Sequence, residues 1–400
     1  MKNKLDLTVI PHLTINYSTR MLVKFLILIR FSSLLGIIYV KQIMKSSDEY
    51  SKNKEKKIHL LALSPERFRG DLQVFTRSNE IRIWVIPTIL QTLIQKSFYK
   101  RKVVASELKH PDRVKNLKTK KLNHRIFLKK ILKIIFNRIP IDSLISADIK
   151  YVADIDWGEV AETLGKSYIV LHRENLAACE SVKQLMISRT NKIRKFGGSH
   201  IIVQNQIMKK IFTDSGFAKI NQVSVKGCLR MDELFEKVKK NNFKKNQTIT
   251  LFSFPPYQWA RRLPHSVFID SHSAFVKIAK NFPKINVIIK PKYDYLVSKI
   301  WNELMQEAFK KNKFDPKDYP NFSISPEKNS HDLILQSNII CAFNSTVILE
   351  TLATNTPVIL PYFKTLRKDS WDKRINFSEY KHLFYTPSDE GDLVKLLEKK

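Results

Sequence analysis

The run from Cys341 to Phe363, CAFNSTVILETLATNTPVILPYF, places three small polar residues and one acid inside an otherwise apolar stretch. Asn344, Ser345 and Thr346 follow a strand-like run and open a helix-like one. Such residues cap helices, because their side-chain oxygens accept from the first unpaired backbone N–H groups. A helix start carries partial positive charge and open N–H groups, which suits a phosphate. Glu350 stands one helical turn beyond Thr346, where a carboxylate can accept from the vicinal hydroxyls of a ribose. On spacing alone the simpler reading is a plain helix cap followed by a solvated carboxylate.

Other candidates stand where strand-like runs end. INVIIKPKYD puts Lys290 and Lys292 at the end of an apolar run, where a cation can neutralise a leaving phosphate. SPERFRGD supplies Glu66, Arg67, Arg69 and Asp71, and LHRENL supplies His172, Arg173, Glu174 and Asn175. Polar groups this dense after an apolar strand are costly unless exposed or used; a surface turn with local ion pairs is the other reading. Asp154–Asp156 imitates an Asp-x-Asp metal motif but reads as a strand-end turn. His265 and His272 lack metal-ligand spacing, and no metal is expected. With nine glycines the chain has no Gly-rich phosphate loop, dinucleotide fingerprint or nucleophile elbow.

These candidates need elements to hold them. From residue 58 onward, short apolar runs alternate with helical stretches, the rhythm of parallel α/β layers. Runs at 58–63, 81–86, 149–155, 167–172, 200–205 and 222–227 read as strands before a polar Lys-Asn stretch at 236–247. A second series at 248–254, 285–290, 338–343 and 357–363 follows. The expected organisation is an N-terminal segment and linker over 1–57, one α/β domain over 58–240 and another over 241–400.

MLVKFLILIRFSSLLGIIYV, residues 21–40, has the length to cross a bilayer but is interrupted by Lys24 and Arg30. An anchor, an interfacial helix and a buried helix are all open readings. For a spanning helix, the lysines that follow place the rest of the chain in the cytoplasm. Residues 100–139 hold fourteen Lys and Arg against Glu107 and Asp112. Leu128, Ile131, Leu132 and Ile135 repeat there at helical spacing, with lysines opposite, as in a membrane-surface helix or a solvated face over a core.

The chain has 70 Lys and Arg against 37 Asp and Glu, a formal net charge of +33. Part of that reflects a Lys-, Asn- and Ile-rich composition; the rest calls for an anionic partner. No nucleic-acid module accompanies the charge, so a nucleic-acid-binding protein is the weaker class. Three separated cysteines, Cys179, Cys228 and Cys341, fit a reducing compartment.

The 341–363 stretch resembles the donor-binding segment of GT-B glycosyltransferases, above all bacterial enzymes that assemble surface polysaccharide or lipopolysaccharide. VKGCLRMDELF at 225–235 resembles the end of their N-terminal domain, and TLFSFPP at 250–256 the opening of the donor domain. This chain carries Asn-Ser-Thr where many members carry glycines. The resemblance implies two Rossmann-like domains facing a cleft, with a nucleotide-sugar as co-substrate and no other cofactor. It places Asn344, Ser345 and Thr346 on phosphate, Glu350 on ribose, and Lys290 and Lys292 beside the leaving nucleotide. Glu66 and His172 are the preferred bases, with Asp71 and Glu174 next; Arg67, Arg69 and Arg173 would grip an acidic acceptor. The expected acceptor is a lipid-linked or surface glycan at the anionic cytoplasmic face of the inner membrane, reached by a peripheral or single-anchor protein. A polyol-phosphate transferase and a sugar-nucleotide epimerase are the alternatives of the same architecture.

Overall fold

The computed structural model describes residues 15–48, 57–68, 70–99, 107, 110, 112, 114–173, 176–240, 245–258, 261–367 and 374–398. The chain divides into two compact units, one of residues 1–175 and 183–230, the other of residues 176–182 and 231–400.

The first unit is built on six strands: β1 (Ile58–Leu63), β2 (Ile81–Ile86), β3 (Ser143–Ser146), β4 (Ser167–Leu171), β5 (His200–Val203) and β6 (Val223–Val225). They form one parallel sheet in the order β2-β1-β3-β4-β5-β6. Leu61 and Val85 are fully buried, Leu144 and Val170 likewise. A parallel sheet is covered by helices on both faces, so its strands read as continuous apolar runs. The order reverses between β1 and β3, the position where open α/β sheets place ligands.

Helices α1 (Tyr17–Leu28), α2 (Ser32–Ser47), α3 (Asp71–Thr76), α4 (Thr88–Phe98), α5 (Leu117–Arg138), α6 (Val152–Glu162), α7 (Glu180–Asn191) and α8 (Gln206–Asp214) accompany these strands. The spacing of residues 149–155 suggested a strand; the strand is β3, and the following residues open α6. Seven mostly apolar residues with two charges among them do not separate strand from helix. The Asp154–Asp156 pair therefore lies in the first turns of α6, not on a strand-end turn.

The single N-terminal apolar helix expected over 21–40 is not formed. Arg30 takes a left-handed φ of 59°. The Arg30 N–H bonds the Ile27 carbonyl at 3.2 Å, and the Phe31 N–H bonds the Leu26 carbonyl at 3.0 Å. This 5→2 and 6→1 pair closes α1 as a Schellman motif, and α2 begins immediately after it. Among the described residues no helix is long and apolar enough to cross a membrane.

The second unit holds β7 (Thr248–Phe252), β8 (Asn286–Lys290), β9 (Phe322–Ile324), β10 (Ser337–Ala342) and β11 (Val358–Ile359), again parallel, in the order β9-β8-β7-β10-β11. Its helices include α9 (Met231–Lys240), α10 (His265–Asn281), α11 (Lys299–Lys311), α12 (Ser330–Gln336), α13 (Val347–Leu352) and α14 (Glu390–Glu398). The main core lies on one face of the sheet, where Phe268, Phe275, Trp301 and Leu393 pack on Ile249, Leu251 and Ile289. A smaller cluster on the other face gathers Leu333, Ile334, Ile340 and Ile348.

Candidate functional site

In the first unit, polar side chains collect at the carboxyl ends of β1, β3 and β4. His172 directly follows β4, and its N–H bonds the Ile202 carbonyl at 2.8 Å. The imidazole is 3% exposed, with Nδ1 3.7 Å from Asp148 Oδ1 and the ring edge-on to Phe212. That separation is longer than a hydrogen bond, so Asp148 acts on the ring through its charge.

Arg173 is also buried, with Nε 3.2 Å from Asp71 Oδ2 and a terminal nitrogen donating to the Arg67 carbonyl. Asp71 is buried at the start of α3. Glu66 is half-buried and accepts from the Thr88 hydroxyl at 2.6 Å. Arg67 is exposed, its guanidinium 5.2 Å from the centre of the Tyr151 ring. The structure thus brings together Asp71 with Arg173, and His172 with a partner that sequence reading missed, Asp148. Arg69, Glu174 and Asn175 lie outside the described residues.

Asp154 was also missed as a site feature. It sits at the β1–β3 reversal, accepting from Ser64 and Ser146 hydroxyls at 2.8 Å each and from Gln91 Nε2 at 3.2 Å. Burial pushes its carboxyl up to about 6, against the lowering effect of these three donors. Its neighbour Asp156 is held low: burial opposes this, but His124, Lys121 and Arg125 together outweigh burial. The two carboxylates of one motif are therefore driven apart by their surroundings.

In the second unit, Asn344 follows β10 with a left-handed φ of 45°. Its amide is used as a brace: Nδ2 donates to the Arg374 carbonyl at 3.0 Å, and Oδ1 accepts from the Asn376 N–H at 2.8 Å. Ser345 Oγ accepts from the Val347 N–H at 3.3 Å. Thr346 is the N-cap residue of α13, without a side-chain cap bond, and α13 itself has six residues. Glu350 is 6% exposed, so it is not the solvated carboxylate of the simpler reading. Its Oε2 lies 3.6 Å from Nε2 of His331, in the first turn of α12. Asn329 Oδ1 accepts from the His331 N–H at 2.8 Å and so caps α12; the sequence reading singled out neither residue.

Lys290 ends β8 and donates through Nζ to the Pro326 carbonyl. Burial lowers its pKa, with Glu327 acting the other way. Lys292 is exposed two residues on. His272, by contrast, is structural: it is fully buried, stacked 3.9 Å from Phe268, and burial lowers it to about 4. Among the described residues no group of His, Cys, Asp and Glu could hold a metal ion.

No protein-family model matches the sequence, and no curated protein matches it by sequence. Solved structures match by fold. A candidate UDP-N-acetylglucosamine 2-epimerase from Listeria monocytogenes aligns with a TM-score of 0.50 at 10% identity, over 86% of this chain and 88% of that one. The shared fold is α/β with two parallel sheets, consistent with two Rossmann-like domains. At this identity the likeness shows the fold alone. The UDP-GlcNAc 2-epimerase of Methanocaldococcus jannaschii aligns with a TM-score of 0.48 at 13% identity, over 86% and 92% of the chains. The wall teichoic acid polymerase TagF aligns with a TM-score of 0.45 at 12% identity, over 95% and 88%.

Proposed function

We propose that this chain is a GT-B-type glycosyltransferase that moves a sugar from a nucleotide-sugar to a lipid-linked or surface glycan at the cytoplasmic face of a membrane. One observation carries the reading. The buried Glu350–His331 pair stands at the carboxyl edge of the second sheet, behind a small polar turn, where a nucleotide would lie. A carboxylate kept from solvent and placed beside an imidazole is suited to accept from ribose hydroxyls. Ser345, Thr346 and the cations Lys290 and Lys292 are the proposed phosphate contacts. The nucleotide-sugar is the co-substrate, and no further cofactor is invoked.

The first unit supplies the acceptor chemistry. In an inverting displacement, His172, supported by Asp148, takes the acceptor hydroxyl proton as the new glycosidic bond forms. The bond from the anomeric carbon to the phosphate oxygen breaks, and the nucleotide leaves with that electron pair. Glu66 is the second candidate base. Arg67 and Arg69 are the proposed acceptor cations. Arg173 is proposed to act through Asp71, since the two are paired in a buried position.

The test is transfer itself. Full-length protein is incubated with radiolabelled sugar nucleotides and a bacterial lipid extract, and label in the lipid phase and free nucleotide are both measured. Stoichiometric nucleotide release with lipid-phase label supports the reading. Isomerised sugar nucleotide formed without acceptor contradicts it and favours the epimerase alternative.

A further inference from the structure

Twelve of the twenty-one large hydrophobic side chains found exposed among the described residues lie on α1, α2, the corner between them, and α5. On α1, Tyr17, Met21, Phe25 and Leu28 form one exposed stripe at helical spacing, while Val23, Leu26 and Ile27 are buried on the other side. A helix apolar on both sides needs a second apolar surface. The corner adds Ile29 and Phe31, both about half exposed. α2 is fixed to α5: a Cβ on Gly36 would meet the Ile134 side chain at 2.7 Å, and the Arg30 guanidinium stands over the rings of Phe98 and Phe127. The exposed side chains therefore belong to a packed helical layer.

Charge says what covers them. Residues 15–47 contain Arg20, Lys24, Arg30, Lys41 and Lys45 and no acid. Leu117–Arg138, the whole of α5, contains no acid either and exposes Lys120, Lys129, Lys130 and Lys133, while its exposed Lys118 is paired with Asp112 at 3.2 Å. A second copy of the chain would bring the same uncompensated charge against itself. An anionic bilayer surface offers apolar depth to the aliphatic and aromatic side chains and phosphate to lysines able to snorkel toward it.

We propose that the α1–α2 hairpin lies in the plane of an anionic lipid bilayer, with Met21, Phe25, Leu28 and Ile29 embedded and the cations of α1, α2 and α5 on the headgroups. This mode needs no spanning helix and does not rest on the sugar-nucleotide reading, so lipid binding tests it separately from transfer. Full-length protein is sedimented with vesicles of phosphatidylethanolamine and phosphatidylglycerol, and with vesicles of phosphatidylcholine alone. It is expected to sediment with the first and not the second. Phe25→Ser/Leu28→Ser is expected to lower partitioning by about tenfold or more, since two partly inserted apolar side chains are lost. Both residues are exposed, so its thermal unfolding should match the parent; Met21→Ser/Ile29→Ser repeats the test at neighbouring positions. Equal binding to both vesicle types, or unchanged partitioning of both variants, would overturn the proposal. So would a lipid-free dimer that these variants dissociate, seen by light scattering.

Discussion

Asp154 has no exposed atom, and its folded-state pKa of about 6 lies above the ordinary value of 3.8. The folded protein thus holds this proton more tightly than the unfolded chain does. Stability from this group is fullest below the unfolded value and is lost as pH rises through about 6, a difference on the order of 3 kcal/mol. Asp154→Asn keeps an acceptor for Ser64 and Gln91 and removes the titration. Urea unfolding should show the variant gaining on the parent at about pH 8 relative to about pH 4. An equal difference at both pH values would mean that Asp154 is ionised without penalty. His172 makes a separate prediction: His172→Asn should reduce kcat by about 10²–10⁴-fold with donor KM little changed, because a base acts only in the transition state. A change confined to KM would remove it from the chemistry. Residues such as Asp148 and His331 were not legible beforehand. Each acquires meaning from a partner across the fold, His172 and Glu350, and no local spacing announces such a pair.

At the scale of elements the sequence was more readable. β1 and β2 appear at their expected bounds because a strand buried on both faces is a continuous apolar run between polar breaks. β9 escaped notice: three residues at the sheet edge, Phe322–Ile324, with only Phe322 fully buried, carry too little pattern. The broken N-terminal helix escaped because its C-terminal stop uses arginine, not glycine, in the left-handed position. Close approach between elements makes a direct test of the fold. A Cβ on Gly158 of α6 would lie 2.3 Å from the ring of Tyr168, which is itself buried on β4. Alanine would favour the helix by up to about 1 kcal/mol, but overpacking a buried ring costs about 1–3 kcal/mol. Gly158→Ala should therefore lower the urea midpoint. A raised midpoint would mean that α6 and β4 stand farther apart than described.

For the molecule as a whole, the net charge of +33 makes generic anion binding unavoidable. What separates a sugar-nucleotide enzyme from a nucleic-acid-binding protein is the affinity left at physiological salt. Binding to random-sequence duplex DNA, followed by fluorescence anisotropy, should be no tighter than the non-specific range of about 10⁻⁴–10⁻⁶ M and should fall steeply with salt. Nanomolar binding at that salt would favour the nucleic-acid class. The central claim is that the second unit holds a nucleotide against Glu350. Its most direct measurement is isothermal titration of the full chain with a panel of UDP-, GDP-, CDP- and CMP-sugars, repeated with Glu350→Ala and Ser345→Ala. The expected result is saturable binding of one nucleotide class, weakened at least about tenfold by Glu350→Ala, as when hydrogen bonds to a charged group are lost. Folded protein that binds none of the panel, or binds one equally well without the Glu350 carboxylate, would contradict the account.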